Sequence, residues 1–193
     1  MTMEKLRAEM TAFFQKLYVD QQKVLVFGEG PLHARLMMIG EAPGEQESLL
    51  GRPFVGKAGK NLDEFLALSG LKRAELYITN TVKYRPVKQS AAGNTVNRAP
   101  TQEEIKLGLP FLKREIALVA PEVIVTLGNV PLRALMGRSA TIGVLHGQWQ
   151  TWEGRRLYPL YHPASVIYNR ALKSVYEEDV VRLGAFFREN TPQ

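Results

Sequence analysis

The chain contains no cysteine. That excludes disulfides, thiolate metal sites, cysteine nucleophiles and cysteine-ligated iron–sulfur clusters. Histidine is scarce as well. His33, His146 and His162 are scattered, a pattern unlike the spacing of zinc ligands, so neither a metal nor a cofactor is expected. No apolar run approaches the roughly 20 residues of a membrane span. The first residues carry no signal-peptide apolar core; Leu6, Met10, Phe13, Phe14 and Leu17 fall instead at helical spacing. An intracellular, cytoplasmic protein is the expectation. Nucleotide fingerprints are missing too. Gly40 to Gly44 does not match G-x-G-x-x-G, and Gly56-Lys57-Ala58-Gly59-Lys60 lacks the Walker spacing. No G-x-S-x-G elbow is present to suggest a serine hydrolase.

What is there is 193 residues of ordinary composition, 45% hydrophobic and 23% charged. That length fits one domain, residues 1–193, with a real core. Lys and Arg number 25 against 19 Asp and Glu, a net charge of +6, which favours a polyanionic partner through its long-range field. No membrane partner is expected, and a monomer is the simplest assembly.

Four apolar runs read as core strands: Arg35 to Gly40, Leu76 to Asn80, Pro121 to Leu127 and Arg156 to Tyr161. Helical patterns separate them, at 61–68, 101–119 and 131–136, with a last helix over 174–188. Thr101 and Glu104 form a capping-box start. A short β-like run is expected at 24–27, a flexible basic loop at 87–100, and a hairpin or irregular β segment at 139–152. Strands alternating with helices predict an α/β fold: a three-layer α/β/α sandwich around a central four-stranded parallel sheet. Right-handed crossovers then bring every carboxyl end to one edge, where open α/β sheets bind ligands.

Glycine-rich loops surround that edge. Gly40-Glu41-Ala42-Pro43-Gly44 follows the first strand, and Gly51-Arg52-Pro53-Phe54-Val55-Gly56 lies just beyond. Asn80 closes the second strand and His162 the fourth. Phe54 offers a flat face for stacking a planar ring. Asn80 offers a donor and an acceptor on one amide, the complement of a base edge. His162 can donate to an oxygen that gains negative charge, and Glu41 can orient a water and take its proton.

These segments, together with Tyr77-Ile78-Thr79-Asn80, Lys83-x-Arg85-Pro86, Asn97-Arg98-Ala99-Pro100 and His162-Pro163-Ala164, resemble the uracil-DNA glycosylase superfamily, family four in particular, over about residues 27–182. The resemblance implies hydrolysis of the N-glycosidic bond of uracil flipped out of DNA. By motif match it assigns Glu41 and His162 to catalysis. Gly40, Ala42, Phe54 and Asn80 would bind the base. Lys83, Arg85, Arg98 and Arg170, with Ser165 and Asn169 on the loop after His162, would touch DNA containing uracil or another deaminated base.

The chain departs from the family in two places. Family four normally holds a four-iron–four-sulfur cluster on four cysteines. Their positions fall near Phe13 and Lys16, at Tyr84 and at Gly108, and none is cysteine here. Phe13, Phe14 and Tyr84 are the expected fillers of that space. The loop starting at Val87 is longer than the family's, and the run Ser165 to Asn169 differs from its usual leucines and arginine. A non-catalytic DNA-binding or accessory protein on the same fold, and a hydrolase of free nucleosides or nucleotides, are the competing readings.

Overall fold

A computed structural model describes residues 1–21 and 23–190. In chain order the elements are α1 (Met3–Leu17), β1 (Leu36–Gly40), α2 (Glu45–Leu50), α3 (Lys57–Ser69), β2 (Tyr77–Asn80), β3 (Val87–Gln89), β4 (Thr95–Asn97), α4 (Gln102–Val119), β5 (Val123–Leu127), α5 (Asn129–Met136), α6 (Ile142–Leu145), β6 (Gln150–Trp152), β7 (Arg155–Leu160), α7 (Pro163–Tyr168) and α8 (Leu172–Glu189). A single 3-10 turn, Arg73–Glu75, leads into β2.

The main sheet has the order β2-β1-β5-β7-β6. Its first four strands are parallel, as expected from their unbroken apolar runs. The fifth, β6, is a correction to the four-stranded expectation. It returns antiparallel onto β7 through the Glu153-Gly154 turn, in which both residues have positive φ. Side chains of β1 alternate between two cores. Met37 and Ile39 pack with α1 and α4 residues such as Leu6, Phe14 and Leu112. Leu36 and Met38 pack with Leu62 and Phe65 of α3 and Val180 and Leu183 of α8. Helices therefore cover both faces, the arrangement that buries a parallel sheet.

Three local expectations change. Residues 24–27 form no strand; a lone bridge between Glu29 and Ile78 marks that segment. The stretch after Val87 is an antiparallel ribbon, β3 on β4, where a flexible loop was expected. The residues after His162 are helical, since Pro163 sits at the first helical position, where its missing N–H leaves no bond unmade.

The four family positions for cluster cysteines hold no thiolate, and their surroundings are occupied by rings. Phe14 meets Tyr84 edge-on with centroids 5.5 Å apart, Phe13 meets Phe111 at 5.3 Å, and the Tyr18 and Tyr84 hydroxyls are hydrogen-bonded at 2.8 Å. Gly108 lies against the Thr81 carbonyl, 2.6 Å from where a Cβ would stand. An iron–sulfur cluster does not fit these residues.

Candidate active site

The β1, β2 and β7 carboxyl ends open into one cavity of about 660 Å3. Glu41, Phe54, Asn80 and His162 all line it, although they are separated by as much as three-fifths of the chain. Gly40 is the hinge of this convergence. A Cβ there would overlap the Asn80 side-chain oxygen and stand 2.5 Å from the Phe54 ring, so only glycine lets the amide and the ring meet over the end of β1. The Phe54 and His162 rings face each other with centroids 6.0 Å apart and a 32° tilt. Ala42 also lines the cavity, whereas Gly40 lies behind the Asn80 and Phe54 side chains and is not part of the lining.

Phe54 is held in an unfavourable backbone conformation, φ 52°, which a non-glycine residue adopts only when its surroundings impose it. Two features impose it. Gly59, in the first turn of α3, lets that helix press on the Phe54 carbonyl, where a Cβ would overlap. The Glu47 carboxylate, buried on α2, accepts from the backbone N–H groups of Val55 (2.9 Å), Gly56 (2.7 Å) and Gly44 (3.1 Å). One side chain thus ties the loop of Glu41 to the loop of Phe54. Reading the sequence missed Glu47, because in Glu45-Gln46-Glu47 it looks like one more solvated acid. Its signal was position: three residues after Gly44, at the start of a helix, where a carboxylate binds free N–H groups.

The protonation of the site follows from burial. His162 is pulled down to about 4 by desolvation, the Glu47 carboxylate opposing weakly, so the ring is neutral at pH 7. Its Nδ1 accepts from the Ala164 N–H at 3.2 Å, which leaves the proton on Nε2 as a donor. Burial raises Glu41 above the ordinary carboxylate range. Among the described residues neither the Glu41 carboxylate nor the Asn80 amide has a side-chain hydrogen-bond partner, and Asn80 is 2% exposed. Buried polar groups are normally paired, so both are free to meet a ligand.

The DNA-contact candidates divide. Lys83 is a correction: its side chain is 0% exposed, and its Nζ lies 2.5 Å from both Glu115 and Thr79. It cannot reach a phosphate. Arg98 lines the cavity mouth while its guanidinium holds both oxygens of Glu104, at 2.6 and 2.9 Å. Arg85 joins Asn97 (2.6 Å) to Glu45 (3.2 Å). Ser165, Asn169 and Arg170 are outside the cavity lining; Asn169 caps the turn into α8 through the Ala171 N–H. On α7 the residues that do face the cavity are Ala164, Ile167 and Tyr168, at helical spacing, and Tyr168 is 88% exposed at the rim.

A model of the uracil DNA glycosylase superfamily matches residues 27–182. The chain belongs to the uracil-DNA glycosylase superfamily. It is 39% identical over 167 residues to the type-4 uracil-DNA glycosylase of Saccharolobus solfataricus, covering 82% of this chain and 74% of that protein. Against the type-4 enzyme of Thermotoga maritima it is 37% identical, covering 90% and 88%. The type-4 enzyme of Sulfurisphaera tokodaii is 35% identical, covering 94% and 83%. The superfamily match thus encloses every cavity residue named above and the β3–β4 ribbon beside it.

Proposed function

We propose that this protein is a DNA glycosylase that hydrolyses the N-glycosidic bond of uracil, or of a related deaminated base, after the nucleotide has been flipped out of DNA. The observation that carries this reading is the meeting of an unpaired amide, a ring, a neutral imidazole and an unpaired carboxylate in one cavity. Uracil presents an N–H donor beside a carbonyl acceptor, and the Asn80 amide offers the matching acceptor and donor. Phe54 stacks on the base. Glu41 takes a proton from water as the water oxygen bonds to the sugar C1′ and the C1′–N1 bond breaks. The electron pair of that bond leaves with the base, and negative charge collects on its O2. The His162 Nε2–H donates there. A neutral donor suits this task, since one such bond is worth about 3 kcal/mol, near two orders of magnitude in rate.

A base inside a stack is out of reach, so extrusion costs roughly a few kcal/mol before any chemistry. Tyr168, exposed at the rim, is placed to fill the gap left in the stack. Arg85 and Arg170 supply positive charge for phosphates, Arg98 being committed to Glu104, and the net charge of +6 assists encounter. The working unit in this reading is one domain, residues 1–193, acting as a monomer in the cytoplasm, without a cofactor.

The test is direct. Oligonucleotides bearing uracil, hypoxanthine or xanthine are incubated with the purified protein, then treated with alkali to cut abasic sites. Cleavage at uracil above a Glu41→Gln control is the expected result. Binding without base release would replace this reading with that of an accessory DNA-binding protein.

A further inference from the structure

The β3–β4 ribbon takes no part in the mechanism above, yet it stands at the cavity mouth. Its base is built firmly. Pro86 and Asn97 line the cavity, the Arg98 N–H donates to the Pro86 carbonyl at 3.1 Å, and Arg98 fixes the same point to Glu104 on α4. Its tip is closed by local bonds. The Ser90 N–H donates to the Asn94 carbonyl (2.8 Å), the Gly93 N–H to the Ser90 carbonyl (2.9 Å), and the Asn94 N–H to Ser90 Oγ (3.1 Å). The ribbon is therefore an ordered arm. Its three residue pairs reach about 10 Å from the body at the usual rise per residue.

The two faces of the arm differ. The register pairs Val87 with Asn97, Lys88 with Val96 and Gln89 with Thr95. Paired residues share a face and successive pairs alternate, so Asn97, Thr95 and Gln89 lie on one side and Lys88 on the other. Asn97 turns toward the cavity, its Nδ2 standing 3.5 Å from where a Gly44 Cβ would be. Thr95 and Gln89 continue that face outward, exposed and linked by a 3.3 Å hydrogen bond. No Asp or Glu occurs between Glu75 and Glu103, so nothing on the arm repels an anion. Neutral hydroxyls and amides of this kind form a large share of protein contacts to sugar and phosphate oxygens.

We propose that the Asn97–Thr95–Gln89 face of this ribbon is a DNA-backbone contact surface that grips the strand beside the extruded nucleotide. This rests on the glycosylase reading, though its test does not depend on catalysis. Fluorescence anisotropy would measure binding of a labelled duplex containing a tetrahydrofuran abasic analogue. Gln89→Ala/Thr95→Ala is expected to weaken binding about tenfold. Neutral contacts release no counterions, so its slope of log Kd against log salt should equal that of the unaltered protein. Lys88→Gln, on the opposite face, should change affinity less than threefold. Replacing residues 88–96 by Asn-Gly should weaken binding at least as much as the double substitution. With a uracil substrate the double variant should raise KM about tenfold and leave kcat within twofold. Affinity of the double variant within twofold of the original overturns the proposal, as does a larger loss from Lys88→Gln. If the unaltered protein releases no uracil, the glycosylase reading fails while the anisotropy comparison still decides the ribbon.

Discussion

Two sets of polar groups grow from the end of β2, and they are treated in opposite ways. On one side lies Asn80, almost fully buried with its amide unpaired, next to a Glu41 carboxylate that is also unpaired. On the other lie Thr79 and Lys83, directed at Glu115 of α4. There the Glu115 carboxylate receives Lys83 Nζ (2.5 Å), the Tyr77 hydroxyl (2.8 Å) and the Thr79 hydroxyl (3.1 Å). Every partner in this second group is another part of the protein. A buried polar group with all its bonds made holds the fold, whereas one left open at a cavity waits for something else. The nest around Glu115 also fixes the backbone that follows Asn80, so the closed group positions the open one.

The sharpest way to break this contrast is to open the closed side. Lys83→Met strands the Glu115 charge and should cost about 3–5 kcal/mol of stability in urea unfolding. The double variant Lys83→Met/Glu115→Leu removes both charges and should recover most of that loss. Equal stability for the single variant and the original protein would show that the pair is dispensable. On the open side, His162→Ala should slow uracil release by about two orders of magnitude, near 3 kcal/mol in the barrier, with little change in unfolding. Glu47→Gln should come next. It weakens the charged hydrogen bonds that hold Phe54 in its strained conformation and should lower kcat/KM by about tenfold, roughly 1.4 kcal/mol. The smallest effect belongs to Tyr84→Phe, which loses the bond to Tyr18 for about 1 kcal/mol of stability and leaves activity intact.

The pH profile sharpens the same point. In the proposed mechanism Glu41 acts ionised and His162 neutral. His162 is lowered to about 4 and is therefore neutral at neutral pH, while burial raises Glu41 above the ordinary carboxylate range. Excision should rise with pH through the raised Glu41 value and then stay level. A fall in rate between pH 6 and 7 would mean that the imidazole works protonated. The base of the ribbon gives a stability counterpart. Arg98 holds Glu104 down at about 2, below its unfolded value, so the Arg98–Glu104 contribution is present above pH ~4 and is lost as pH falls toward 2.

Much of the open side was legible from residues alone. Apolar runs ending in glycine or asparagine marked the strands. Topology then sent Glu41, Phe54, Asn80 and His162 to one edge, and the cavity contains all four. The closed side was harder to read. Lys83 in Val82-Lys83-Tyr84-Arg85 resembles a solvated cation, and its partner is 32 residues away on another element. A signal was available on α4, where Glu115 falls on the buried stripe of Gly108, Phe111, Leu112, Ile116 and Val119. A carboxylate on such a stripe requires a buried partner. The ribbon was missed because its two three-residue strands are too short for alternation to stand out from a polar loop. The fifth strand lies at the end of the 139–152 segment read as a hairpin or irregular β, whose earlier part holds the short helix α6.

One measurement tests the central contrast most directly. Single-turnover release of uracil from a labelled oligonucleotide would be compared for the original protein and Asn80→Ala, with urea unfolding of both run in parallel. The original protein should leave abasic sites, and the variant should do so at least tenfold more slowly while unfolding at the same urea concentration. Equal rates, or a rate loss matched by a collapse in stability, would contradict it.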